Sequence, residues 1–201
     1  MKNKKNDSGL VKNLINVGIF NALMIAIAFA VAFSIGLFPP ILLVLPTILA
    51  LLGGMIFMVM LEKTDMKGVF IISGGLLGLS LITMAPGGVM GLAIFGGGIV
   101  AEIVYQLMGT EKFLSKATAY AVYIAGFALG EYIPFVYMQE AYIAQESAKG
   151  SQSLEILKSC LSMITPGRMI ILVLIAIVAA YLGSLWGKSL IRKHFAKAGL
   201  V

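Results

Sequence analysis

Six long apolar runs make up most of the chain: residues 14–38, 41–61, 69–85, 89–108, 117–138 and 169–190. A helix needs roughly 20 apolar residues to cross a hydrocarbon core about 30 Å thick. Inside lipid the backbone polar groups are satisfied only in a helix or a closed barrel. Barrel strands alternate apolar and polar positions, whereas these runs are continuously apolar, so the pattern predicts six transmembrane helices. Pro39-Pro40 ends the first run and Pro86-Gly87-Gly88 the third. Charged breaks at 62–68 and 109–116 separate two further pairs.

Between the fifth and sixth runs lies a longer polar segment, 139–167. Within it Leu154, Leu157, Leu161 and Ile164 recur at three- and four-residue steps, which places them in one stripe on a helix. Ser153 is suited to cap its start, and Thr165-Pro166-Gly167 to end it. The expected element is a short amphipathic helix in the loop between helices five and six, lying over one mouth of the bundle or merely connecting the two spans.

Composition narrows the class. Of 201 residues, 60% are hydrophobic and 12% charged, with a mean hydropathy of +1.00. Soluble domains run at about 45–50% apolar and about 25% charged, so the whole chain, 1–201, reads as one all-α integral membrane domain. Disorder requires the opposite composition. A single cysteine, Cys160, excludes an internal disulfide, and a single histidine, His194, leaves little for a Cys/His metal site.

The net charge of +6 sits in the flanks of the apolar runs, a pattern of membrane topology rather than of nucleic-acid binding. With the N-terminus placed inside, Lys2, Lys4, Lys5, Lys12, Lys63, Lys67, Lys112, Lys116, Lys188, Arg192, Lys193 and Lys197 are cytoplasmic. Only Lys149, Lys158 and Arg168 then fall outside. The positive-inside rule therefore puts both termini in the cytoplasm. The first apolar run is too long for a secretory signal and lacks a small-residue cleavage site.

Ala22, Ala26 and Ala30 form a narrow strip on the first helix, and Ala28 and Ala32 a parallel pair. Small residues let helix backbones approach closely, so the strip serves packing within the bundle or docking of another membrane protein. Ionisable groups inside a span are costly, about 2.5–3.5 kcal/mol on insertion scales, and two stand out. Glu102 lies toward the inner half of the fourth span, with Gln106 one turn on. Glu131 lies toward the outer half of the fifth, near Tyr132, Phe135 and Tyr137, at the level where Arg168 opens the sixth. Glu131, Tyr132, Tyr137 and Arg168, with Met84 and Phe38 as apolar walls, could line an outward-facing pocket. In the alternative, Arg168 snorkels to the interface and Tyr137 belongs to an aromatic belt. No serine–histidine, zinc or paired-carboxylate arrangement supports catalysis, and Gly183–Ser189 is one residue short of a phosphate-binding loop. The chain reads as a non-enzyme with no intrinsic cofactor or metal.

The order of several segments resembles the MptD, or Trep_Strep, family of S components of energy-coupling-factor (ECF) transporters. The resemblance is carried by 14–20 (LINVGIF), Leu51-Leu52-Gly53-Gly54, 91–96 (GLAIFG) followed by Glu102, Tyr142-Ile143-Ala144, Thr165-Pro166, and the tail at 193–199. It implies a six-helix protein of the bacterial cytoplasmic membrane that captures a micronutrient outside. It also implies docking, through a small-residue strip on helix one, onto a T component coupled to two ATP-hydrolysing subunits. Ala22, Ala26 and Ala30 match that strip, and Glu131, Tyr132 and Arg168 lie in the substrate-holding region by position. The cargo expected from the resemblance is a vitamin-like cofactor or a porphyrin such as haem, with Arg168 or Lys158 facing its carboxylates. A nickel or cobalt ion is disfavoured by the lack of outer histidines. A stand-alone channel or secondary transporter is the competing reading.

Overall fold

The computed structural model describes residues 2–35, 38–148 and 151–195. Lys149, Lys197 and the side chain of Ser153 lie outside what is described. Every element among the described residues is helical. In chain order these are α1 (Lys2–Ile35), α2 (Pro39–Leu42), α3 (Leu45–Lys63), α4 (Val69–Ser80), a 3-10 turn at Pro86–Gly88, α5 (Val89–Met108), α6 (Phe113–Tyr137), α7 (Gln139–Ser147), α8 (Ser151–Met163) and α9 (Pro166–Leu190), which runs into a π turn, Ile191–Phe195.

Five helical stretches are long and apolar enough to cross a membrane: Gly9–Ser34, Leu45–Lys63, Pro86–Met108, Phe113–Tyr137 and Pro166–Lys193. The third expected span is different. Its helix covers only Val69–Ser80, 12 residues, or about 18 Å at 1.5 Å per residue. Residues 81–85 stay apolar but leave the helix, with the Met84 amide donating to the Leu81 carbonyl in a turn. Gly87 and Gly88 follow at φ 61° and 70°, a region that residues with a Cβ enter reluctantly. Their turn reverses the chain into α5. Hydropathy continued to 85, but the helix stops where this reversal begins.

The reversal brings α4 and α5 almost backbone to backbone. A Cβ on Gly78 would lie 2.7 Å from the Gly91 carbonyl oxygen, and one on Gly98 would lie 2.6 Å from that of Phe70. Gly97 and Gly126 do the same for α5 and α6, where a Cβ on Gly97 would meet the Gly126 Cα at 2.8 Å. Lipid supplies no hydrophobic drive between helices, so such close approach is a main source of their attraction.

The core lies between α3, α4 and α6. Phe57 packs against Tyr120, Tyr123 and Phe70 with ring centroids 4.9, 5.1 and 5.6 Å apart. The two buried phenols find carbonyls, Tyr120 donating to Ala50 at 3.0 Å and Tyr123 to Ser73 at 3.3 Å. Buried Asn21 of α1 donates to the Ser73 hydroxyl at 2.9 Å and to the Val17 carbonyl at 2.8 Å. Near the start of α1, Asn13 and Asn16 donate to the carbonyls of Asp65 and Lys63. At that same end of the bundle Lys116 and Glu62 form an ion pair of 2.6 Å.

At the opposite end, α7 and α8 fold against the bundle. Leu157 and Ile164 of the predicted stripe are buried, with Leu154 and Leu161 half-buried. The polar segment also contains α7, a second helix that its sequence pattern did not announce. Tyr142 of α7 donates to the Met84 carbonyl at 2.9 Å, and Gln145 to the Thr83 carbonyl at 3.0 Å. Those carbonyls belong to the stretch that leaves the helix, so α7 satisfies backbone groups that the early end of α4 sets free.

Candidate functional site

Helix α6 presents Phe127, Glu131 and Phe135, four residues apart, on one face. Opposite them stand Ala28, Phe29, Ala32 and Phe33 of α1, with Leu45 and Leu49 of α3. Leu42, Leu81, Met84 and Met90 form the remaining apolar wall, while Tyr142 and Glu146 of α7 and Ile156 and Leu157 of α8 cover it. Together they enclose a cavity of about 380 Å³, within the size range of small-molecule sites.

The two intramembrane glutamates have opposite surroundings. Glu102 is buried and fully used. One of its carboxylate oxygens accepts from the Gly68 amide at 2.8 Å and the Gln106 side chain at 2.8 Å, and the other from the Phe70 amide at 3.0 Å. It thus caps the N-terminus of α4, whose first amides have no intrahelical partner and carry partial positive charge. Glu131 is 7% exposed, yet both of its carboxyl oxygens are buried without a hydrogen-bond partner. Buried polar groups are almost always paired, and an unpaired one costs stability. That carboxyl lies against the mostly apolar cavity.

Beside it, burial and the nearby carboxyls of Glu131 and Glu146 push the Tyr142 phenol above its ordinary range. Burial likewise raises the Cys160 thiol of α8 to about 11, with Glu131 adding to the effect.

Over residues 11–197 the chain matches the Trep_Strep family, described as a hypothetical bacterial integral membrane protein. The chain belongs to the Trep_Strep family. As a Trep_Strep protein it is an integral membrane protein, and its several long apolar helices fit a multi-pass arrangement. No curated protein and no solved structure matches it.

Of the side chains that the sequence grouped into a pocket, this Trep_Strep protein brings only Glu131 and Met84 into the cavity lining. Tyr132 is one residue from Glu131 and so about 100° around the helix. Its hydroxyl donates to the Leu43 carbonyl at 2.6 Å, making it a buried brace. Tyr137, the last residue of α6, and Phe38, beyond the end of α1, are exposed and lie outside the lining. Arg168 is also outside it. Its amide donates to the Thr165 hydroxyl at 3.3 Å, and its guanidinium donates to the Met163 carbonyl at 2.6 Å, which holds it to the α8–α9 corner.

Glu146 and Phe127 were not named from the sequence, whereas Phe135 was named as a neighbour of Glu131 and Tyr142 only within the family resemblance. The four-residue spacing of Phe127, Glu131 and Phe135 was a usable signal, whereas nothing in the polar segment marked Tyr142 or Glu146 as lining a cavity. On α1 the two alanine strips separate cleanly. Ala28 and Ala32 line the cavity, whereas Ala22, Ala26 and Ala30 are exposed and outside its lining.

Proposed function

We propose that the protein is the substrate-capturing S component of an ECF-type importer in the bacterial cytoplasmic membrane, and that the cavity around Glu131 holds its cargo. The observation that carries this reading is a carboxyl 7% exposed and without a hydrogen-bond partner, set in a mostly apolar cavity. A channel would need a continuous polar path, and a purely structural glutamate would be paired as Glu102 is. The cargo in this reading is an organic micronutrient small enough for a cavity of about 380 Å³. The topology that goes with it has both termini cytoplasmic, α4 and the turned segment after it together forming the sixth crossing, and the α7–α8 cover outside. That orientation rests on the distribution of lysine and arginine.

The partners are a T component and two ATP-binding subunits, and the chain itself hydrolyses nothing. The support for docking is the exposure of Ala22, Ala26 and Ala30 on α1, whose Val17, Asn21, Met24 and Ala28 are buried in the bundle. A small-residue strip left exposed among the described residues suits the close approach of another helix. Co-expression with a T component and its ATPases, followed by affinity purification, tests the reading. The wild-type chain should co-purify with the T component and support ATP-dependent accumulation of cargo in proteoliposomes. Accumulation by the isolated chain without ATP would replace this reading with a secondary transporter.

A further inference from the structure

We propose that the cargo is a compact, mostly apolar molecule bearing a cationic nitrogen group, an ammonium or its equivalent, that seats against Glu131. The proposal rests on the cavity being the capture site. It comes from the hydrogen-bonding inventory of the walls. Among the described residues three polar side chains line the cavity: Glu131, Glu146 and Tyr142. The Tyr142 hydroxyl directs its hydrogen at the Met84 carbonyl, so what it offers the cavity is an oxygen lone pair. Carboxylates only accept. Among the described residues no lysine, arginine or histidine lines the space, and Arg168, the nearest expected counter-charge, is engaged by the Met163 carbonyl. With Glu131 ionised, the described lining is rich in acceptors and holds no positive side chain. Its complement carries N–H donors and positive charge, surrounded by enough hydrocarbon or aromatic surface to fill the pocket formed by Ala28, Leu49, Phe127 and Phe135. An anionic vitamin, or a porphyrin entering by its propionates, would place like charges together without a donor to separate them.

The full-length protein in lipid nanodiscs is titrated calorimetrically with three probes of nearly equal shape: 1-naphthylmethylammonium, 1-naphthylmethanol and 1-naphthylacetate. Empty nanodiscs supply the correction for partition into lipid. The cation should bind about tenfold or more tightly than the alcohol, with the anion weakest, as expected for a buried charge-assisted contact. Glu131→Gln should erase the preference for the cation while leaving the affinity for the alcohol nearly unchanged. Ala28→Phe, which fills the cavity from α1, should abolish binding of all three. An anion that binds as tightly as the cation, and is lost in Ala28→Phe, overturns the cargo class while leaving the cavity as the capture site. A cation preference that persists in Glu131→Gln removes Glu131 from the contact and overturns the proposal. Binding that ignores Ala28→Phe, or no binding by any probe, overturns the cavity itself.

Discussion

The two buried glutamates make opposite predictions for stability, and the contrast can be worked from their partners. Replacing Glu131 by methionine keeps the side-chain length and removes two carboxyl oxygens that have no partner. An unsatisfied buried polar group costs about 1–3 kcal/mol, so Glu131→Met should raise the unfolding free energy of the ligand-free protein by about that amount. Chains unfolded within a membrane also find polar partners, which places the expectation toward the lower end. Glu102→Ala has the reverse sign. It strands the amides of Gly68 and Phe70, each now bonded to the carboxylate. At about 1.5–3 kcal/mol for a hydrogen bond to a charged group, the loss should be about 3 kcal/mol or more. The assay is an SDS-unfolding titration in mixed micelles, monitored by far-ultraviolet circular dichroism, on wild type and both variants without ligand. If Glu131→Met destabilises the protein as Glu102→Ala does, Glu131 is an ordinary structural residue and the functional reasoning built on it fails. A more stable variant that no longer captures cargo would be the usual trade between stability and a site kept ready for its ligand.

Ala26→Trp should abolish co-purification with a T component while leaving cargo binding and the unfolding midpoint unchanged, because Ala26 is exposed and outside the cavity lining; retention of the partner at wild-type yield would remove the docking role of this face. Gly126→Ala should destabilise the bundle by about 1–3 kcal/mol, since its Cβ would lie 2.7 Å from the Gly97 Cα and 2.9 Å from the Ala93 carbonyl oxygen; unfolding titration reads the loss. Tyr142→Phe removes the bond to the Met84 carbonyl and should cost about 0.5–1.5 kcal/mol, with faster release of bound cargo in a chase experiment if α7 covers the cavity. Cys160, fully buried with its thiol raised to about 11, should react negligibly with N-ethylmaleimide at pH 7.5 and fully in denaturant, because the thiolate is the reactive species; rapid labelling of the folded protein would mean that α8 opens readily.

Five of the expected spans were legible because a continuous apolar run of sufficient length has few alternatives to a membrane helix. The early end of α4 was not, because Leu81, Ile82, Met84 and Ala85 are as apolar as the helix before them. Hydropathy records the surroundings of a residue and not whether its backbone is still helical. Glu131 stood out as an ionisable group in an apolar run, which is informative whatever the fold. Choosing its neighbours was harder. Helix α6 is apolar nearly all round, so its sequence did not show whether the face of Glu131 or that of Tyr132 meets the cavity. Likewise the two alanine strips of α1 look equivalent until burial separates Ala28 from Ala26. The sequence placed Arg168 and Glu131 at one level, but only Glu131 lines the cavity; at the Thr165-capped start of α9 the arginine is held to the Met163 carbonyl.

The most direct test of the capture site is native mass spectrometry of the full-length protein released from membranes of its host, compared with Ala28→Phe and Glu131→Met prepared in the same way. If the cavity around Glu131 holds the cargo, the wild-type chain carries one small molecule per protein, and both variants are bare or nearly so. Equal occupancy in all three, or a wild type that remains bare when purified from cells importing micronutrients, would contradict the assignment of the cavity as the site of capture.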